Sequence, residues 1–306
     1  MTMPVGGSAR GGDGLSVVWT RGKGCLELAE TLAGDASSRI SGDLGQGCIE
    51  HRADILVSKK LPGSFDLVNV AVPVDYDPEN VTSVVATVAG GPHSLLAAET
   101  AAAIGHSLGV RAEMVSVAEG EAGIGPARAV VDQMAAEFED LESRIVIVED
   151  GVADLVDRLD EGALLVIGAP GGSWLQRARF GPGARLRRTA QAGAVIVRSA
   201  PDRVFRFMGE PVYVAPLRQA DDTLRLHQEN TLAVADQGRL VGLVRRSALV
   251  GVGHAPVATV MEDPLSVRQD ETISVAWELE PTFGPDPIPV TDDEEHLVGG
   301  LSLRAG

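Results

Sequence analysis

The chain contains few lysines, cysteines and aromatic residues. Of its 306 residues, three are lysine, two are cysteine and 4% are aromatic. Cys25 and Cys48 are too few for a disulfide framework. Cys48 and His51 have the spacing of metal ligands, but a site would need further ligands, so we expect no metal. The sequence lacks a run of about 18 apolar residues and a signal-peptide pattern, which predicts a cytoplasmic protein without membrane insertion.

The chain also has little positive charge. Its formal net charge is −17, and the basic residues are almost all arginine, the lysines being Lys23, Lys59 and Lys60. Phosphate backbones and anionic membranes attract positive surfaces, so this charge argues against nucleic acid as a partner. With 44% hydrophobic and 23% charged residues, the chain is a globular protein long enough for two or three domains.

Sequence motifs of catalysis are missing as well. There is no G-x-S-x-G, H-E-x-x-H or paired C-x-x-C, and Gly123-Ile124-Gly125 lacks the third glycine of a dinucleotide fingerprint. His93 is close to the expected ligand mouth, where a lone histidine is usually a capping or surface residue. The run 292–296 allows a cation site, but an exposed turn between two strands explains it more simply. We therefore expect no enzyme.

The first region, residues 1–75, is predicted to be a flexible tail followed by an α/β extension. Residues 1–14 are rich in glycine and serine and show no apolar periodicity. Strand-like runs follow at 15–19, 53–57 and 67–72, and a helix-like stretch at 25–32. The region is either a shortened second copy of the unit that follows or an extension packed on its sheet.

The second region, residues 76–200, alternates strands and helices, which is typical of a parallel sheet covered by helices. The predicted strands are 82–88, 113–117, 144–148, 163–167 and 194–197. A helix is expected from Pro92 to the glycine at 109, with Ala97, Ala101, Ile104 and Leu108 on its buried stripe. Further helices follow the second, third and fourth strands. Ligands of such folds bind beyond the carboxyl ends of the strands, at the switch point.

A glycine loop follows the fourth of these strands. Gly168-x-x-Gly171, nine intervening residues and Gly181 resemble the G-2x-G-9x-G-[S/T] loop of ATP-binding universal stress proteins. This resemblance implies a universal-stress-type five-stranded parallel sheet with flanking helices, and an adenine nucleotide held by the loop. Two residues depart from the family pattern: Pro182 stands where the family has a phosphate-binding hydroxyl, and Ala89 where it has an aspartate. The resemblance therefore implies weak ATP binding or none.

The candidate residues at this site lie at the strand ends and in the loop. They are Ala89, Gly90, Val117, Gly168, Gly171, Gly172, Gly181 and Gly183. Arginines crowd the same segment, at 177, 179, 185, 187 and 188. They could clamp a phosphate or an acidic partner, or they could form a solvated helix face, and the second interpretation is favoured because charge runs are usually surface.

The third region, residues 205–306, contains an internal repeat. The stretch 218–224 recurs as 268–273, 232–236 as 288–292 and 240–244 as 297–301. The repeated unit of strand, helix and two-strand ribbon resembles a tandem CBS-domain pair, whose members commonly bind adenosine ligands. This implies a smaller α+β domain with a ligand cleft between the repeats near Val267 and Ser302. The first repeat is short between Thr223 and Val234, so its helix should be clipped, and the ribose-binding aspartates of CBS units are missing from both copies.

The sequence thus predicts a cytoplasmic, non-catalytic regulatory or stress-related protein with an adenine nucleotide, ATP or AMP, as its possible ligand. The alternatives are a slow ATP-hydrolysing stress protein and a structural partner-binding module without a ligand. We expect a homodimer because both modules tend to pair in the families they resemble, and because the apolar run 194–197 looks like a sheet edge. A protein partner is a further possibility, and no metal or nucleic acid is expected.

Overall fold

The chain folds into two compact units, Met1–Ala200 and Pro201–Gly306. The computed structural model describes residues 15–138, 140–148, 155, 158–169 and 192–303. Each unit has its own hydrophobic core.

The first unit is built on one mixed sheet, which has nine strands within the described residues. The strands are β1 Val17–Trp19, β2 Ser38–Arg39, β3 Ile55–Val57, β4 Asn69–Val74, β5 Ser83–Thr87, β6 Arg111–Glu119, β7 Glu142–Val148, β8 Ala163–Gly168 and β9 Ala194–Arg198. Their order across the sheet is β2-β1-β3-β4-β9-β8-β5-β6-β7. The five strands expected from the second region all form, but they belong to this larger sheet, and β2 was not predicted.

The nine-stranded sheet consists of two parallel half-sheets. Strands β1 to β4 are parallel to one another, and so are β5 to β9. The halves meet where β4 pairs antiparallel with β9, with Val72 opposite Ile196. The order β2-β1-β3-β4 mirrors β6-β5-β8-β9 across that junction. The first half-sheet thus repeats the strand order of the second, with no described strand corresponding to β7. The interpretation of residues 1–75 as a shortened second copy stays a prediction.

Helices cover both halves at equivalent places. They are α1 Cys25–Ala33, α2 Leu44–Glu50, α3 Pro92–Leu108 and α4 Ile124–Ala135. Helix α1 follows β1 as α3 follows β5, and the two helices are in contact. Helix α3 ends at Gly109, whose φ of 65° gives the left-handed C-cap that glycine adopts without strain. The predicted helix between β7 and β8 falls largely on residues outside the described set.

The core follows from the alternation of side chains along buried parallel strands. Val84 and Ala86 of β5 face one side of the sheet, where they pack with α1 and α3. Val85 faces the other side, with Val115 and Leu165. On α3 the predicted stripe is confirmed, since Ala97, Ala101 and Ile104 are fully buried and Leu108 packs beside them. Full burial of a side chain such as Ile104 contributes about 1.5–3 kcal/mol.

The second unit contains the predicted repeat. Its elements are β10 Tyr213–Val214, α5 Ala220–Leu226, β11 Thr231–Asp236, β12 Arg239–Arg245, α6 Arg246–Leu249, β13 Val267–Arg268, α7 Ile273–Phe283, β14 Ile288–Thr291 and β15 Leu297–Leu301. Each copy is a sheet of a parallel pair followed by an antiparallel pair, β10-β11-β12 and β13-β14-β15. Helix α5 has seven residues and α7 eleven, so the clipped first helix is confirmed.

The register of the copies supports two of the three predicted correspondences. Bulges lie at Val234/Ala235 and Val290/Thr291, and Val234 pairs with Gly242 as Val290 pairs with Gly299. The pairing of 218–224 with 268–273 is wrong by three to four residues. Val214 and Val267 are equivalent because they pair with Val234 and Val290, and this makes Gln219 the counterpart of Thr272. Both of these residues are helix N-caps.

Candidate functional site

The switch point of the second half-sheet lies between β5 and β8, and three predicted site residues follow those strand ends. Ala89 and Gly90 come after β5 and are exposed, and Gly168 is the last residue of β8. Val117 lies inside β6, which continues to Glu119, and its half-buried side chain packs with the core around Val115. Gly171, Gly172, Gly181 and Gly183 lie outside the described residues, as do Pro182 and the five loop arginines.

Ser94 fixes the turn between β5 and α3. The Ala89 N–H donates to Ser94 Oγ at 3.0 Å, and Ser94 Oγ–H donates to the Gly90 carbonyl at 3.1 Å. Gly90 and Gly91 have φ values of 88° and 82°, which only glycine adopts readily. The amide of Ala89 is therefore already satisfied by the chain. Ser94 was not predicted as a site residue, although a serine just after a Gly-Gly-Pro turn was a usable signal.

His93 fills the space beside the end of β8. A Cβ on Gly168 would lie 3.0 Å from both the Cβ and the carbonyl oxygen of His93, so a larger residue at this position would have to displace the start of α3 slightly. The Ser199 N–H donates to His93 Nδ1 at 3.0 Å, which places the proton of the neutral ring on Nε2. Burial, with a smaller contribution from the positive charge of Arg198, lowers the pKa of His93. His93 thus acts as a neutral hydrogen-bond acceptor that ties α3 to the end of β9.

Arg198 is committed to the backbone. Its guanidinium donates to the carbonyls of Pro62 at 2.8 Å, Gly63 at 3.0 Å and Phe65. These bonds hold the segment between β3 and β4 against β9. A polar pocket of about 200 Å³, lined by residues that include Thr82, Arg111 and Asp160, lies at the amino ends of β5 and β6, opposite the ligand side.

In the second unit the two repeats exchange short segments. Gly209, which precedes β10, pairs with Gly300 of β15, with N–H···O distances of 2.8 and 3.2 Å. Glu262, which precedes β13, pairs in the same way with Leu243 of β12, at 2.7 and 3.1 Å. Each copy therefore contributes backbone to the sheet of the other. The two hairpins also meet, since Arg239 bridges to His296.

Equivalent glycines make room for the exchanged segments. A Cβ on Gly242 would lie 2.6 Å from the Glu262 carbonyl oxygen, and one on Gly299 would lie 3.0 Å from that of Gly209. A methionine sulfur lies against each position, that of Met261 at 3.2 Å and that of Met208 at 2.8 Å. The contact at Gly242 is closer than real Cβ atoms approach backbone, and the one at Gly299 is tighter than most such contacts, so the repeated Leu-Val-Gly sequence reflects close packing in both copies.

The equivalent ends of the two ribbons, β11–β12 and β14–β15, carry different side chains. Three residues after Gly242 stands Arg245, whose Nε donates to Glu262 at 3.1 and 3.3 Å. Three residues after Gly299 stands Ser302, which is exposed, and the counterpart of Glu262 there is Gly209. The Arg245–Glu262 ion pair thus occupies the end of the β11–β12 ribbon in the first copy. In the second copy the equivalent residues, Ser302 and Gly209, are small and leave the end of the β14–β15 ribbon open. Val267 is a core residue, 3% exposed, as is its counterpart Val214.

The acidic run 292–296 forms the turn between β14 and β15. Asp292 Oδ1 accepts from the N–H groups of Glu294 and His296, both at 2.9 Å. Its other oxygen lies 3.2 Å from His296 Nδ1. The carboxylate is thus used to close the turn. In the part of the chain that the structure describes, no three histidine, cysteine or acidic side chains come together as metal ligands.

Comparisons with known proteins found solved structures of CBS-domain pairs that are similar to about a third of this chain. No protein-family model and no curated protein matches the chain. Similar solved structures include the cytosolic domain of the Mg²⁺ channel MgtE in complex with ATP, at 25% identity and a TM-score of 0.31, over 33% of this chain and 46% of that one. They also include a CBS domain pair/ACT domain protein from Thermotoga maritima, at 22% identity and a TM-score of 0.31, over 33% and 89% of the two chains. CBSX2 in complex with AMP gives 26% identity and a TM-score of 0.30, over 33% and 90%.

The chain spans less than half of the MgtE structure's length. The universal-stress resemblance of the first unit is shown by none of the matches. Separately, none of the helices among the described residues is long and apolar enough to cross a membrane.

Proposed function

We propose that the second unit is a CBS-type module that binds an adenine nucleotide, AMP or ATP, between its repeats near Val267 and Ser302. The observation that carries this proposal is the mutual exchange of Gly209 and Glu262 between the two repeat sheets. Because each sheet is completed by the other copy, a ligand between the copies contacts both, and its binding shifts the equilibrium of the whole unit. The protein would then act as a non-catalytic cytoplasmic regulator.

The open end of the second ribbon is the proposed contact for the ligand. Ser302 offers a hydroxyl that can donate to or accept from a ribose or phosphate oxygen. At the equivalent place in the first copy, the Arg245–Glu262 ion pair fills the position and satisfies both charges. We therefore propose one ligand site per chain, on the Ser302 side.

The first unit has the role of an assembly platform in this proposal. Its glycine loop, with Ala89, Gly90, Val117, Gly168 and the glycines outside the described residues, is a second and weaker candidate for ATP. Ala89 has no carboxylate and Pro182 no hydroxyl. Each missing polar contact to a charged ligand costs about 1.5–3 kcal/mol, so the loss of two weakens micromolar binding to about millimolar.

A thermal-shift titration with AMP, ADP, ATP and S-adenosylmethionine tests the proposal on the full chain. A ligand at about 100 times its Kd stabilises the native state by about 2.7 kcal/mol, so the melting temperature should rise with concentration. The variant S302R places an arginine where the first copy has one, and we expect it to weaken binding about tenfold or more. The matched variant R245S, made at the equivalent position of the first copy, should leave the affinity within about twofold.

Four results would contradict this assignment. Equal weakening by S302R and R245S would mean that the site is not confined to the second ribbon. Unchanged binding in S302R would move the ligand to the first unit, and the absence of a shift with every ligand would favour the structural-module alternative. Steady phosphate release from ATP by the purified chain would support the slow ATPase instead.

A further inference from the structure

The carboxyl edge of the first half-sheet collects an unusual share of the positive charge. All three lysines of a chain with net charge −17 lie there, at Lys23, Lys59 and Lys60, together with Arg21. Arg21 and Lys23 follow β1, and Lys59 and Lys60 follow β3. All four side chains are exposed.

The topology makes this edge a switch point. From β1 the chain passes through α1 to β2 on one side, and it then returns through α2 to β3 on the other side. The connections that leave β1 and β3 therefore diverge, which opens a crevice beyond the carboxyl ends of these two strands. Open α/β sheets bind their ligands in such a crevice.

The two basic segments are in direct contact. A Cβ on Gly22 would lie 3.1 Å from Lys59 Cβ and 3.6 Å from its Cγ, so the stem of Lys59 lies over the turn after β1. Lys59 also acts on the adjacent Cys25, since its positive charge opposes the rise in the Cys25 pKa caused mainly by burial. The segments that carry the four cations are thereby held together across the crevice.

Within the described part of the chain, these cations lack the ion-pair partners that other basic residues have. Arg144 pairs with Glu113 at 2.8 Å and Arg245 with Glu262 at 3.1 Å. Arg21, Lys23, Lys59 and Lys60 form no ion pair with any carboxylate of the described residues. The segments 20–27 and 57–61 contain these four basic residues and one carboxylate, Glu27, so the two segments carry a net positive charge. Unpaired like charges repel one another, so an anion between them would be stabilising.

A further cation and a helix end add to the same edge. The Arg39 guanidinium, at the end of β2, lies 5.6 Å from the ring centre of Trp19 at the end of β1. Helix α1 begins at Cys25 after Gly24, and no side chain caps its first turn. The helix dipole therefore reinforces a positive potential that the lysines already supply.

We propose that this edge binds a phosphate-bearing small molecule with at least two negative charges, held mainly by Lys23, Lys59 and Lys60. Lysine binds phosphate as a mobile point charge, which suits a ligand lying in an open crevice. The site is separate from the nucleotide site proposed for the second unit and does not depend on it. Free pyrophosphate and the diphosphate group of a nucleotide share the chemistry that this site recognises.

Calorimetry with pyrophosphate on the full chain tests the site. We expect K59Q/K60Q to weaken pyrophosphate binding about tenfold or more, because two charge-assisted contacts are lost. The control R128Q/R158Q removes the same charge from two exposed arginines of the first unit and should change the affinity by less than about twofold. Affinity should also fall as salt is raised from about 50 to 300 mM.

Two outcomes would overturn the proposal: undetectable binding of pyrophosphate by the unaltered chain at millimolar concentration, or equal weakening in the lysine and arginine variants. Circular dichroism of K59Q/K60Q separates lost binding from lost folding, and K59R/K60R should retain binding if charge is what matters. The source of the phosphate is distinguished with ADP. If ADP binds more tightly than pyrophosphate, and if this binding is lost in K59Q/K60Q but kept in S302R, the ligand of this site is a nucleoside diphosphate. If ADP and pyrophosphate bind equally well, the site recognises the diphosphate group alone.

Discussion

At the scale of single residues, His93 shows how a polar side chain can hold a strand end in place. Its Nδ1 accepts from the Ser199 N–H, and its backbone lies against Gly168. The sequence placed this histidine near the ligand mouth, as a capping or surface residue. The structure gives it a more specific part, since the ring joins the start of α3 to the end of β9. Only the three-dimensional contact could show this, because Ser199 is 106 residues away along the chain.

The lowered pKa of His93 predicts a pH-dependent stability. Between its folded pKa and the ordinary value of 6.5, the unfolded chain binds more protons than the folded chain. The free energy of unfolding should therefore be highest above about pH 6.5, decrease as the pH falls below it, and level off below the folded pKa. Denaturant unfolding at several pH values should show this slope in the parent and a smaller one in H93N, whose amide oxygen can still accept from Ser199.

The matched control is H51N at an exposed position, which should keep the slope of the parent. A slope that is the same in H93N and the parent would show that other groups, and not His93, determine the acid dependence.

At the scale of elements, the sequence predicted most strands and the long helices because their apolar periodicity is strong. It missed β2 and α2. Strand β2 has two residues, Ser38 and Arg39, and α2 contains Gly45 and Gly47, which lower helix propensity. Gly47 is there for close packing, since a Cβ on it would lie 3.0 Å from the Ile40 side chain. Short elements held by tertiary contacts leave little local signal.

The repeat was the most informative sequence pattern, and one of its three predicted correspondences was wrong. The ribbon correspondences were right because a bulge and a glycine recur at the same register. The helix correspondence was wrong by three to four residues because matching arginine and acidic residues by letter ignored the strand that precedes each helix. The exchanged segments carry a sequence signal, since Met208-Gly209-Glu210-Pro211 resembles Met261-Glu262-Asp263-Pro264, but the strands that they pair with are visible only in the backbone pairing.

Asp286 links the two copies, and its loss should destabilise the second unit. Its Oδ2 accepts from the Thr231 N–H at 2.8 Å, with both residues buried. The variant D286A would leave that amide buried without a partner, at a cost of about 1–3 kcal/mol. Thermal unfolding and hydrogen exchange of the Thr231 amide measure the effect, and exchange should accelerate.

The control variant is D236A, which removes an exposed aspartate from the end of β11 and should change stability by less than about 0.5 kcal/mol. If the Thr231 amide hydrogen exchanged with solvent at the parent rate in both variants, the hydrogen bond to Asp286 would have no part in joining the copies.

At the scale of the whole molecule, the prediction that 194–197 forms a sheet edge is wrong. Strand β9 is an interior strand, paired with β8 on one side and with β4 on the other. An apolar run reports that a strand is buried on both faces, but it does not identify the neighbouring strands. The expected homodimer remains a prediction, and β9 cannot be its interface while β4 covers it.

This arrangement predicts what happens when the first half-sheet is removed. A chain that begins at Tyr76 lacks β1 to β4, so the backbone of β9 loses its partner and Ile196 loses its contacts with Val70 and Val72. Unpaired apolar edges recruit other chains. Light scattering at micromolar concentration should therefore give the shortened chain a larger assembly than the full chain, and I196K should reduce it, because a charge blunts the new edge. If the shortened chain had the same assembly state as the full chain, β4 would not be needed to cover the edge of β9. The pairing of the two half-sheets would then have no part in keeping β9 from self-association.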